Sequence, residues 1–133
     1  MIVSKPGYNS SATLIAEKTM LKALTYNTDD FDNLSFAGAQ VIVDATTVTS
    51  LTLTVSVYGV DPAQIASPIL LLATTAMAAA GTEVLHIHPG AAAANNVSIN
   101  RFMPKKFFIR AVTSNVTGTC TFTVGANFMG LPS

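Results

Sequence analysis

The chain has 133 residues, seven Lys plus Arg against seven Asp plus Glu, a hydrophobic fraction of 50% and a charged fraction of 11%. A chain of this length is one domain that can bury roughly 68% of the surface its unfolded form exposes, so it needs no metal or disulfide staple. Charged residues usually make up about 25% of a soluble protein, so a low charge that also sums to zero gives weak protection against self-association and predicts a surface that meets other protein.

Residues 1–6 lack the basic cluster, apolar block and small-residue cleavage site of a secretory signal. Residues 1–30 are rich in Ser, Thr, Asn and Asp without a strong period and read as an N-terminal arm packing on a neighbour, or as a first strand. Within them, residues 10–24 fit a short helix through Leu14, Ala16, Met20, Leu21 and Leu24, while residues 12–16 fit a strand. Residues 31–133 then form the domain proper. Residues 34–44 predict a strand with a kink at Ala37-Gly38-Ala39, where the apolar phase slips.

Residues 51–58 alternate strictly between apolar and polar, which predicts a strand with one buried face before Gly59 and the turn pair Asp61-Pro62. Residues 68–77 are apolar on both faces and read as a strand buried twice, with a helical turn in the following Ala tract as the alternative. No apolar run in the chain approaches the ~20 residues of a membrane helix.

Residues 82–89 predict a strand with Leu85 and Ile87 inward and Val84, His86 and His88 outward, closed by Pro89-Gly90. Residues 91–104 have no period and read as a long connection, with room for a short helix, that covers a sheet edge. In residues 105–114, Phe107, Ile109 and Ala111 form an apolar face and Lys106, Phe108, Arg110 and Val112 the opposite one, making Phe108 a candidate exposed aromatic. Residues 119–128 place Cys120, Phe122, Val124, Ala126 and Phe128 on one side. Short strands separated by turn residues predict an all-β, antiparallel β-sandwich of jelly-roll or Ig-like type with six to eight strands.

The chemistry-bearing residues are few. His86 and His88, at i and i+2 on a strand, share a face and are close enough to share a metal if a carboxylate or third imidazole converged on them; with no third ligand placed by the sequence they read as a solvated or interface pair, and no metal or other cofactor is expected. Asp29, Asp30 and Asp32 sit in a turn-like stretch, and the other carboxylates are scattered. Cys120, the single cysteine, forms no internal disulfide and reads as a small core residue with an inert thiol. The glycines are spaced like turns, with no phosphate-cradling loop and no nucleophile elbow. These observations predict no catalytic residues and no enzyme.

Arg101, Lys105, Lys106 and Arg110 interleave with Phe102, Phe107 and Phe108 in a pattern that resembles a platform for single-stranded nucleic acid. A net charge of zero argues instead for a basic rim on a protein interface, with no nucleic-acid partner. Phe108, Lys106, Arg110, Arg101 and Phe102 are therefore the candidate protein-interface residues. Sugar binding through aromatic platforms would fall to Tyr8, Tyr26 and Tyr58, since Trp is absent. The sequons at Asn9, Asn33, Asn96 and Asn115 are expected by chance in a chain of this composition.

Four segments carry a resemblance. They are Leu51-Thr52-Leu53-Thr54-Val55-Ser56-Val57-Tyr58-Gly59-Val60-Asp61-Pro62, Gly81-Thr82-Glu83-Val84-Leu85-His86-Ile87-His88-Pro89-Gly90, Met103-Pro104-Lys105-Lys106-Phe107-Phe108-Ile109-Arg110-Ala111 and Phe122-Thr123-Val124-Gly125-Ala126. Through them, residues 50–128 resemble small virion structural proteins encoded among the head and tail genes of tailed bacteriophages. The resemblance implies a β-sandwich bound to the virion at the capsid surface as a decoration or cement protein, with the major capsid protein and copies of itself, as a homotrimer, for partners and no membrane contact. The alternatives are a phage tail or host-receptor-binding component and a small enzyme or metal-binding domain using His86 and His88. The long N-terminal stretch and the His pair depart from the pattern.

Overall fold

A computed structural model of the chain describes residues 7–33, 36–64 and 67–130, with side chains from Ser10 onward. Five strands follow directly from apolar alternation, because on a pleated strand every second side chain faces the core. They are β4 (Gly38–Thr49), β5 (Thr52–Gly59), β7 (Gly81–His88), β9 (Lys106–Ser114) and β10 (Thr119–Gly130). Val41 and Val43, Leu53, Val55 and Val57, Leu85 and Ile87, Phe107 and Ile109, and Phe122 and Val124 are at most 1% exposed and form one continuous core. Cys120 belongs to that core, and burial pushes its thiol above the ordinary pKa.

The remaining strands are β1 (Gly7–Leu21), β2 (Thr25–Asn27), β3 (Phe31–Asp32), β6 (Ile69–Ala73) and β8 (Ser98–Asn100). One sheet runs β1-β10-β4-β7-β8; the other runs β2-β9-β5-β6, with β3 also on β9. Pairing is nested from the chain ends inward: β1 with β10, β2 with β9, β4 with β7, and β5 with β6. The contacts of β10 with β4 and of β9 with β5 join these hairpin-like pairs into two facing sheets. This wrapped arrangement is a jelly roll rather than an Ig-like sandwich. Strands of two or three residues, β2, β3 and β8, raise the count among the described residues to ten. No helix occurs among the described residues.

Bulges account for the places where the periodicity misled. Residues 10–24 lie largely in β1, whose register against β10 shifts between Tyr8 and Ser10, Thr13 and Ile15, and Ile15 and Lys18. Leu14 and Ile15 are therefore consecutive and both buried, which mimics a helical stripe. The kink expected at Ala37-Gly38-Ala39 is present as a bend at Ala37, immediately before Gly38. Gly38 begins β4 (Leu34 and Ser35 lie outside the described residues), and the bulge falls at Thr46, between the pairs Thr47–Thr121 and Ala45–Phe122.

Residues 68–77 are not a strand buried twice. β6 is an edge strand with a bulge at Leu71, and it buries Leu71 and Leu72 while leaving Ile69 47% and Leu70 51% exposed. The connection over residues 91–104 contains no helix; it adds β8 in parallel to β7 and so covers that sheet edge.

One end of the sandwich is tied by Asn33. Its buried carboxamide donates to the carbonyls of Phe36 (2.8 Å), Met103 (3.2 Å) and Pro104 (3.2 Å), and accepts from the Phe36 amide (2.9 Å). Every hydrogen-bonding group of that side chain is thus engaged in holding the β8–β9 connection against the start of β4.

Candidate interaction face

Outward positions on β5 and β9 meet across their antiparallel ladder in the pairs Tyr58–Phe108, Ser56–Arg110, Thr54–Val112 and Thr52–Ser114. The Tyr58 and Phe108 rings lie 5.3 Å apart between centroids and 7° from parallel. Above them the Arg110 guanidinium carbon stands 4.4 Å from the Tyr58 centroid and 5.6 Å from that of Phe108. Its Nε donates to Asn27 Oδ1 on β2 at 2.8 Å, which fixes the guanidinium plane over the rings. Stacking of this kind contributes about 0.5–1.5 kcal/mol beyond area burial, and a cation over an exposed ring about 0.5–1 kcal/mol.

Around this centre stand Leu70, the β6 register partner of Tyr58, and Val112, 36% exposed. The result is a ridge of aromatic and aliphatic side chains carrying one immobilised cation. Phe108 is on the outer face as its alternation predicts, yet it is half-buried, because Tyr58 covers one side and Arg110 the top.

Lys106 lies on the same strand face but turns toward β3, where its Nζ is 3.2 Å from Asp32 Oδ1. With both side chains more than half exposed, that ion pair contributes about 0–1 kcal/mol. Arg101 and Phe102 sit at the end of the sandwich on the β8–β9 connection, where the Arg101 amide donates to the His88 carbonyl and the Met103 amide to that of Ala37. Phe102 is 60% exposed there. Tyr58 is the residue the sequence reading left out of this face, and its position in the outward row Thr54-Ser56-Tyr58 was the available signal.

Elsewhere, His86 and His88 do share the outer face of the other sheet, both half-buried, and no set of three His, Cys, Asp or Glu side chains able to hold a metal occurs among the described residues. Asp29 and Asp30 are exposed between β2 and β3, but the expected turn is not there: β2 and β3 pair successively along β9, so the chain runs straight on, and Asp32 lies in β3. Of the three tyrosines considered for sugar, Tyr58 is in the stack, Tyr26 lies beneath Lys18 Nζ (4.0 Å to its centroid), and the Tyr8 side chain lies outside the described residues.

No family model matches the chain, and no curated protein matches it. Among solved structures, a chain in the structure of infectious bursal disease virus Gx strain is similar over 97% of this chain, with a TM-score of 0.53 at 12% identity. This chain spans only 32% of that one's length. A chain from the Gt strain of the same virus is similar over 96% of this chain and 42% of its own, with a TM-score of 0.44 at 10% identity. The Gx likeness is one of fold, a β-sandwich shared with a chain from a virus particle.

Proposed function

We propose that this protein is a non-enzymatic virion structural protein, and more narrowly a capsid decoration or cement protein of a tailed bacteriophage that binds the major capsid protein as a homotrimer. The observation that carries this reading is the Tyr58–Phe108–Arg110 ridge. Aromatic residues and Arg are enriched at protein interfaces, and truncations there tend to carry much of the binding energy. Here they stand outward on a rigid sheet beside Leu70 and Val112 in a chain of zero net charge. The jelly roll and its likeness to a chain of a virus particle support the virion setting, as a fold-level analogy.

The ionisable groups are spread over both sheets rather than gathered in a cleft, which favours association over catalysis. The test is add-back to expanded shells lacking this protein. Shells that receive it are expected to withstand higher temperature and stronger osmotic shock, because a ligand that binds only the intact state stabilises it. Equal resistance with and without the protein overturns the cement role, and density on the tail in a cryo-EM map of the particle moves the protein there instead.

A further inference from the structure

On the opposite sheet, independently of the ridge, we infer that His86 and His88 form a two-imidazole chelate for a borderline divalent cation such as Zn2+, Ni2+ or Cu2+, with its remaining coordination positions open to water. Two residues apart on β7, their side chains leave the same face about 6.8 Å apart at the backbone, a span that two imidazole arms can close on one ion held at about 2.0–2.1 Å. Sequence spacing gives that much. The structure adds the orientation of His88.

His88 Nδ1 lies 3.0 Å from the Pro89 carbonyl oxygen. A carbonyl only accepts, so Nδ1 donates its proton in this contact, and in the neutral ring Nε2 then keeps the lone pair. Donation from the second ring nitrogen to a backbone carbonyl is how metal-binding histidines are commonly oriented. At its base His88 packs on Gly38, where an added Cβ would stand 2.4 Å from the His88 Cβ, so no neighbouring side chain rises from β4 beside it.

The cross-strand surroundings are neutral: His86 is flanked by Gln40 and Ser98, and His88 is paired with Asn100. The competing amide oxygens are already engaged. Gln40 Oε1 accepts from Asn127 at 2.9 Å and Asn100 Oδ1 from the Gly90 amide at 2.8 Å. That leaves the imidazole nitrogens as the donors of this patch and selects for nitrogen-preferring ions over Mg2+ and Ca2+.

The experiment is calorimetric titration of the untagged full chain with ZnCl2 and NiCl2, with MgCl2 and CaCl2 as controls, repeated on His86→Ala and His88→Ala. Saturable binding of one Zn2+ or Ni2+ per chain is expected, weakened on the order of tenfold or more in each variant, with no saturable binding of Mg2+ or Ca2+. Absence of saturable Zn2+ and Ni2+ binding, a variant that binds as well as the natural chain, or equal binding of Mg2+ overturns the assignment. Should a variant fail to fold, imidazole nitrogen NMR of the natural chain decides instead. Zn2+-dependent shifts of both His86 and His88 are expected, and shifts that spare either one contradict the chelate.

Discussion

On the outer side of the β2-β9-β5-β6 sheet, Tyr58 and Phe108 lie ring to ring under the Arg110 guanidinium. On the outer side of the β1-β10-β4-β7-β8 sheet, β10 instead presents Thr121, Thr123, Gly125 and Asn127, beside Gln40, Ile42 and Asp44 of the central strand β4, with Ile42 and its β7 partner Val84 a half-buried apolar pair among polar neighbours. The second face is bonded to itself. Thr19 and Thr121 hydroxyls meet at 3.0 Å, Thr46 Oγ1 donates to the Thr121 carbonyl at 3.2 Å, Thr82 Oγ1 to Asp44 Oδ1 at 3.2 Å, and Asn127 Nδ2 to Gln40 Oε1 at 2.9 Å.

Both sheets bury their inner faces in the same core and use the same alternation, so the outward rows are free to differ. A row of short polar side chains is satisfied by its neighbours and by water. The aromatic row holds apolar area at the surface with its cation already oriented, and removing that area from water is the largest gain open to an association. On the proposed reading, protein binding falls to the aromatic face, and the hydrogen-bonded face is left to water.

The largest effect calibrates that comparison from inside the sandwich. Phe107 precedes Phe108 on β9 but points inward and is 1% exposed. Phe107→Ala is expected to cost about 3–5 kcal/mol of folding stability through the cavity it leaves, read as a sharp fall in melting temperature. Phe108→Ala should instead weaken association by about 2 kcal/mol, read by shell binding, while lowering folding stability by only about 0.5–1.5 kcal/mol through loss of the Tyr58 stack.

Arg110→Lys keeps the charge but loses the planar group over the rings and its bond to Asn27, so a stability loss of about 0.5–1 kcal/mol in chemical denaturation is expected. Thr19→Ala on the polar face should change stability and shell binding by less than about 0.5 kcal/mol each. A larger loss of shell binding there would break the division of labour between the faces. Cys120 reports on the core they share: its buried, raised-pKa thiol should resist a thiol reagent until denaturant is added, and rapid reaction in the native state would show that the core is open.

Where one residue in two faced the core without interruption, the fold was legible. β5, β7, β9 and β10 could be read from Leu53 to Val57, Leu85 to Ile87, Phe107 to Ala111 and Cys120 to Phe128, and so could the outward direction of Phe108 and of the His pair. β1 was illegible because three register shifts break its period, and β6 because the extra residue at Leu71 turns two consecutive leucines inward. Strands of two or three residues such as β2 and β3 are too short to show a period and exist through pairing with β9. The same limit applies to the interaction face. That Tyr58 stands opposite Phe108 is a fact of register between strands about fifty residues apart, which no local pattern encodes. Arg101 and Phe102 are near that face in sequence, but they lie on the connection that carries the chain from β8 in one sheet to β9 in the other.

The most direct test of the central claim is a paired measurement on Phe108→Ala: occupancy on shells lacking the natural protein, and melting of the isolated variant. Occupancy lowered by roughly 30-fold at subsaturating concentration, the equivalent of about 2 kcal/mol, with only a small fall in melting temperature, is the predicted result. Unchanged occupancy would contradict the assignment of binding to the Tyr58–Phe108–Arg110 face, as would a collapse in melting temperature like that of Phe107→Ala.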